Sequence, residues 1–128
     1  MGLTTDKNDP GLNNIKADGQ QETYLVLSEE ERAKGFVRPV RYQYKHLKCG
    51  GVTIMGQALA ETYARNPKFY GGTFCCQCGG HFYLGPPWNP AFLWHSDGEP
   101  VGSTVEEATE YLAKQKQQEE AKHLGGGI

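Results

Sequence analysis

His46-Leu47-Lys48-Cys49-Gly50-Gly51 and Cys75-Cys76-Gln77-Cys78-Gly79-Gly80 share one form, ligand-x-x-Cys-Gly-Gly. A two-residue gap lets two side chains on a tight turn reach a single ion. The glycine that follows permits a positive backbone φ and lets amides turn towards thiolate sulfur. Two such turns supply three sulfurs and one imidazole nitrogen, a donor set that suits tetrahedral Zn²⁺. The spacing therefore predicts one zinc site built from His46, Cys49, Cys75 and Cys78. Four protein ligands close the coordination sphere, so the zinc is expected to be structural. Cys76, outside the two-residue gap, is read as a small buried hydrophobe, with a swapped ligand or a reactive thiol as alternatives. His81 is an alternative to His46, and His95 and His123 are assigned no role.

The residues between and around these turns predict a small α+β fold. It has a zinc-ribbon-like β core with a helix over 55–66 inserted between the ligand turns, plus short N- and C-terminal helices. Met55, Leu59 and Tyr63 recur at helical spacing until Asn66-Pro67. Phe36 to Leu47 alternates, with Phe36, Val40, Tyr42, Tyr44 and His46 on one parity, which predicts a half-buried strand with Pro39 at an edge or bulge. Short strands are expected at Gly72–Cys75, His81–Leu84 and Phe92–His95. Ser28 with Glu31 forms a capping box for a helix over 29–34 that Gly35 stops. Ser103 or Thr104, with Glu106 or Glu107, opens a last helix that turns Val105, Ala108 and Leu112 inward and frays through its Lys/Gln/Glu run.

Length and composition bound what else is feasible. The chain has 128 residues, room for one ordinary domain. Seventeen Gly and seven Pro favour turns over long helices, which excludes a large helical bundle. Residues 1–23 are polar and lack an apolar period, so they are expected to form a flexible arm. The zinc-ribbon-like domain is expected over 24–103, and the C-terminal helix and Gly-rich tail over 104–128. No run approaches the roughly 20 apolar residues that span a bilayer, and the N-terminus lacks a secretory h-region. The expectation is a soluble, cytoplasmic protein without a membrane partner. A reducing compartment also favours metal over disulfides for the four cysteines.

The net charge of -2 excludes a globally basic nucleic-acid coat. Residues 36–100, however, hold six bases and three acids. Arg38, Arg41, Lys45 and Lys48 interleave with Tyr42 and Tyr44, the arrangement that single-stranded nucleic-acid binding uses. The competing reading puts both tyrosines in the core and the bases on a solvated face. From Phe82 to Trp94 there are five aromatics in thirteen residues around a Pro-rich loop. Trp88, Phe92 and Trp94 are thus candidates for a protein interface, with core packing as the alternative. His-Glu-x-x-His, a deaminase His-x-Glu, Gly-x-Ser-x-Gly and a phosphate loop are all absent, so no enzyme is expected.

Leu27-Ser28-Glu29-Glu30-Glu31-Arg32-Ala33-Lys34-Gly35-Phe36-Val37-Arg38-Pro39-Val40-Arg41, together with the segment from Met55 to Gly71, resembles a family of small uncharacterised bacteriophage and prophage proteins with a zinc-ribbon-like cysteine pattern. The resemblance covers roughly residues 27–103. It implies a phage or prophage origin, expression in the host bacterial cytoplasm, and metal ligands at His46, Cys49, Cys75 and Cys78. The family pattern has an apolar residue where this chain has Cys76, which implies that this thiol stays out of the site. The expected function is a zinc-stabilised, non-enzymatic module that engages a host or viral protein. The alternatives are a nucleic-acid-binding zinc ribbon and a virion-associated structural protein.

Overall fold

A computed structural model describes residues 2–126, with side chains through Glu119. In chain order the elements are strands β1 (Gly2–Thr4) and β2 (Thr23–Leu25), helix α1 (Glu29–Arg32), strands β3 (Gln43–His46) and β4 (Val52–Ile54), helix α2 (Gln57–Arg65), strands β5 (Gly72–Cys75), β6 (Gly80–Tyr83) and β7 (Phe92–Trp94), and helix α3 (Val105–Gly126). This is the small α+β architecture that the sequence predicts. Met1, Gly127 and Ile128 lie outside the described residues, as does the side chain of His123. Among the described residues no helix is long and apolar enough to cross a membrane.

Both ligand motifs sit at hairpin tips, and the two tips close alike. β3 and β4 pair antiparallel with Tyr44 opposite Thr53, and β5 and β6 pair with Cys75 opposite Gly80. At the first tip the Gly50 amide donates to the His46 carbonyl at 2.7 Å; at the second the Gly79 amide donates to the Cys75 carbonyl at 2.8 Å. Gly50 and Gly79 have φ of +76° and +69°, a region that any Cβ would strain. The first glycine of each Gly-Gly pair therefore shapes its turn.

β3 is the centre of a three-stranded sheet in the order β4-β3-β7, with Tyr44 opposite Trp94. α2 joins the two hairpins and buries Ala60, Thr62, Tyr63 and Ala64. The core gathers around Tyr44, Met55, Tyr63, Phe92, Trp94 and Val101. Its aromatic rings meet edge to face, Tyr44 on Phe92 at 5.5 Å and Tyr63 on Trp94 at 5.4 Å, an arrangement that suits the ring quadrupole.

Several sequence expectations are corrected. The strand expected over Phe36 to Leu47 is regular only at Gln43–His46, because the Val37 and Arg38 amides instead donate to the Ala64 carbonyl at the end of α2. With the pleat lost, parity fails: Arg41 is buried and Tyr42 is 45% exposed. The expected arm carries structure of its own. β1 and β2 pair in parallel, and Pro10–Asn13 forms a 3₁₀ turn capped by Asp9. The apolar run at 24–27 anchors this segment, since the Tyr70 hydroxyl donates to the Leu25 carbonyl and the Leu27 amide donates to Thr62 Oγ1.

The capping residues behave as their chemistry requires. Ser28 Oγ accepts from the Glu31 amide at 3.1 Å. At α3, Thr104 and Glu107 form the reciprocal box, each side chain accepting from the other's amide at 3.2 and 3.0 Å. Of the three α3 residues expected inside, only Ala108 is buried, while Val105 and Leu112 are exposed. α3 also runs on through the Lys/Gln/Glu stretch that composition predicts to fray. Because α3 is anchored at its first turns, Thr104→Ala is expected to cost about 1 kcal/mol. A lower midpoint in urea unfolding with an unchanged slope would register that loss; an unchanged midpoint would show that the cap is dispensable.

Candidate metal centre

The two hairpin tips face each other. His46 Nδ1 and the sulfurs of Cys49, Cys75 and Cys78 all lie within 4.8 Å of one another. Cys49 Sγ is 3.5 Å from His46 Nδ1 and 3.5 Å from Cys75 Sγ, and Cys78 Sγ is 3.6 Å from His46 Nδ1. A tetrahedral zinc with ordinary bond lengths sets sulfurs about 3.8 Å apart and sulfur about 3.6 Å from nitrogen. The donor set fits such an ion. All four cysteines are free thiols, and 3.5 Å between sulfurs is far beyond a disulfide bond of about 2.05 Å. The cluster could therefore hold a metal ion where a disulfide is not formed.

Backbone amides and aromatic faces complete the site. The Gly51 amide donates to Cys49 Sγ at 3.3 Å and the Cys78 amide to Cys75 Sγ at 3.4 Å. The Gly51 amide holds the Cys49 thiol below its ordinary pKa. Loss of hydration, followed by the neighbouring Cys49 and Cys75 thiols, pushes Cys78 up to about 11. A coordinated metal deprotonates such thiols outright. His46 is buried, and desolvation lowers its pKa and favours the neutral imidazole that a metal requires. Phe92 stacks on its ring at 4.6 Å and 20°, and Phe82 covers it at 4.5 Å. These two rings fix the imidazole orientation, a role that spacing alone could not assign to them.

The remaining candidates separate clearly. Cys76 is exposed, not buried as the sequence reading has it, and its thiol reaches the Val52 carbonyl at 3.3 Å, outside the cluster. His81 also stays out. Side chains alternate along a strand, so with Phe82 facing His46, His81 turns the other way. Its Nε2 meets the Tyr24 hydroxyl at 2.9 Å.

Two of the four bases proposed for nucleic acid are occupied. Arg41 is buried, pairs with Asp97 and Glu99 at 2.9 Å each, and lies 4.7 Å over the Trp94 ring. Arg38 pairs with Glu99. Lys45 and Lys48 remain exposed. The acidic partners come from the turn after β7, over fifty residues away in sequence. The continuous basic strand is thereby corrected.

The aromatic loop is also corrected in part. Phe92 and Trp94 are 0% and 2% exposed because β7 pairs with β3, whereas Trp88 is 74% exposed. Trp88 and Pro87 border a groove of about 240 Å³ against Glu107, Tyr111 and Lys114 of α3. Comparison with known proteins found no matching family model, curated protein or solved structure.

Proposed function

We propose that this chain is a zinc-stabilised, non-enzymatic binding module of phage or prophage origin that engages a host or viral protein through the loop carrying Trp88. The observation that carries this reading is the convergence of His46, Cys49, Cys75 and Cys78 on one point. Three thiolates and an imidazole suit zinc over harder cations. Four protein donors leave no position for a catalytic water, which favours a structural ion. Trp88 stands out in a fold that otherwise buries its other tryptophan, and a proline-framed loop presents it at low ordering cost. The nucleic-acid reading loses support with Arg38 and Arg41 committed to acidic partners.

Elemental analysis of the purified, reduced protein should find one zinc per chain. Cobalt in its place should give the visible absorption of a tetrahedral thiolate site. Trp88→Ala is expected to keep the metal and change stability by less than about 0.5 kcal/mol, yet to lose capture of the partner from host lysate. Undiminished capture by this variant would remove the loop from the interface.

A further inference from the structure

The two ligand tips close alike but are not covered alike. A Cβ placed on Gly50, at the first tip, would meet nothing within 4 Å, whereas the second tip has another turn of the chain against it. That turn belongs to residues 15–21 of the N-terminal segment. Ile15 bridges Gln21, the Lys16 amide donates to the Gln20 carbonyl at 2.7 Å, and the Gly19 amide donates to the Lys16 carbonyl at 3.0 Å. Gly19 has φ of +92° and lies so close to the second tip that a Cβ there would collide with the Gly79 carbonyl. The same Cβ would stand 3.3 Å from the Phe74 ring. Position 19 therefore needs glycine twice over, for its backbone angle and for its neighbour. Gly79 is the residue after Cys78, and its amide closes the ligand turn onto the Cys75 carbonyl.

A clasp adds to this contact. The Gln21 amide donates to the Tyr24 hydroxyl at 3.2 Å, which leaves that hydroxyl to donate to His81 Nε2, 2.9 Å away on β6. The root of the segment is fixed elsewhere, by Leu25 and Leu27 on Tyr70 and Thr62. A cleft of about 470 Å³, bordered by Leu12 on one side and Leu59 on the other, separates the segment from α2. The segment thus spans the body as a strap whose end is seated on the loop carrying Cys75 and Cys78. Local opening draws on exposed segments with few buried contacts. Cys78, exposed and followed by two glycines, is the ligand whose loop swings clear most readily, and a loop pinned through Gly79 swings less.

We infer that the N-terminal segment is a strap that retains the metal. Seated on Gly79 and clasped at His81, it holds the Cys78 loop shut, and lifting it lets zinc exchange. The inference rests on the four-donor zinc reading above and adds to it a control on metal release.

The test uses the full chain, reduced and zinc-loaded, mixed with excess 4-(2-pyridylazo)resorcinol, whose colour follows zinc transfer. Hydrogen exchange of the Gly50 and Gly79 amides is read on the same samples. Gly19→Val is expected to keep one zinc per chain but to lose it about tenfold faster, the scale on which groups around metal ligands act. Tyr24→Phe, which removes only the clasp, should speed the loss about fivefold, the effect of one hydrogen bond. In both variants the Gly79 amide should exchange faster, while the Gly50 amide, at the tip without a strap, keeps its wild-type rate. Thr104→Ala is the control for a general loss of stability and should release zinc near the wild-type rate. Zinc transfer at the wild-type rate from a folded Gly19→Val, or from Tyr24→Phe, would overturn the inference. So would Gly50 exchange rising in step with Gly79, or release from Thr104→Ala as fast as from Gly19→Val. A wild type without stoichiometric zinc would overturn the metal site and the strap with it, and elemental analysis before mixing tells that failure from the others.

Discussion

Cys75→Ser is expected to abolish stoichiometric zinc binding and to leave the reduced protein without a cooperative unfolding transition. Cys76→Ser, one residue along, is expected to change neither. Cys75 is fully buried, its sulfur sits 3.5 Å from Cys49 Sγ, and it accepts from the Cys78 amide. Cys76 is exposed; its thiol reaches the Val52 carbonyl, and its amide, which the substitution leaves in place, donates to Thr53 Oγ1. A structural zinc contributes about 10–16 kcal/mol of apparent binding free energy in small domains. Whole domains are stable by only about 5–15 kcal/mol. Loss of one ligand therefore removes more than the fold has in reserve. An exposed thiol replaced by a hydroxyl should move stability by less than about 0.5 kcal/mol. Zinc content by elemental analysis and far-UV circular dichroism with and without chelator read both effects. If Cys75→Ser keeps one zinc and folds, or if Cys76→Ser is the variant that loses it, the four-donor site is wrong.

The contrast between these neighbours was legible in the sequence because the signal is local. A ligand, two intervening residues, a cysteine and two glycines specify a turn on their own, and the same six positions occur twice. α2, β5 and a cap at Ser103 or Thr104 were legible for the same reason, through helical spacing before Asn66-Pro67, a short run flanking the glycine turn, and a hydroxyl three residues from a carboxylate. Arg41 was not legible, because its charge is neutralised by Asp97 and Glu99 and its stem is covered by Trp94. Trp88 and Trp94 are alike in local composition, yet one is exposed and the other buried. The difference is β7 pairing with β3, a contact fixed by tertiary closure. The N-terminal segment fails the composition test for order because its anchors, Thr62, Tyr70 and His81, all lie in other parts of the chain.

Phe92→Ala is expected to destabilise the zinc-loaded protein by about 3–5 kcal/mol, the range for a large aromatic removed from a packed core. Phe92 is fully buried, stacks on His46 on one side and meets Tyr44 edge to face on the other. Its loss therefore opens a cavity and also frees the imidazole that carries Nδ1 into the cluster. Groups that orient a ligand typically change metal affinity by about 10–100-fold when removed. In the proposed zinc-stabilised fold, folding and metal loading are coupled, so any core mutation is expected to lower apparent zinc affinity, and Phe92→Ala alone cannot separate the two effects. Trp94→Ala supplies the comparison. Trp94 is as buried as Phe92, but its aromatic neighbours are Tyr44 and Tyr63 rather than His46. Chelator competition, set against urea unfolding of the same samples, should place Phe92→Ala below the affinity that its stability loss alone requires, with Trp94→Ala on that line. Phe92→Leu, which keeps the apolar volume and removes the stacking face, gives the same comparison in a variant that folds. Equal behaviour of the Phe92 and Trp94 variants would mean that the imidazole is held by its place on β3 alone, and that the ring against it serves only to fill space.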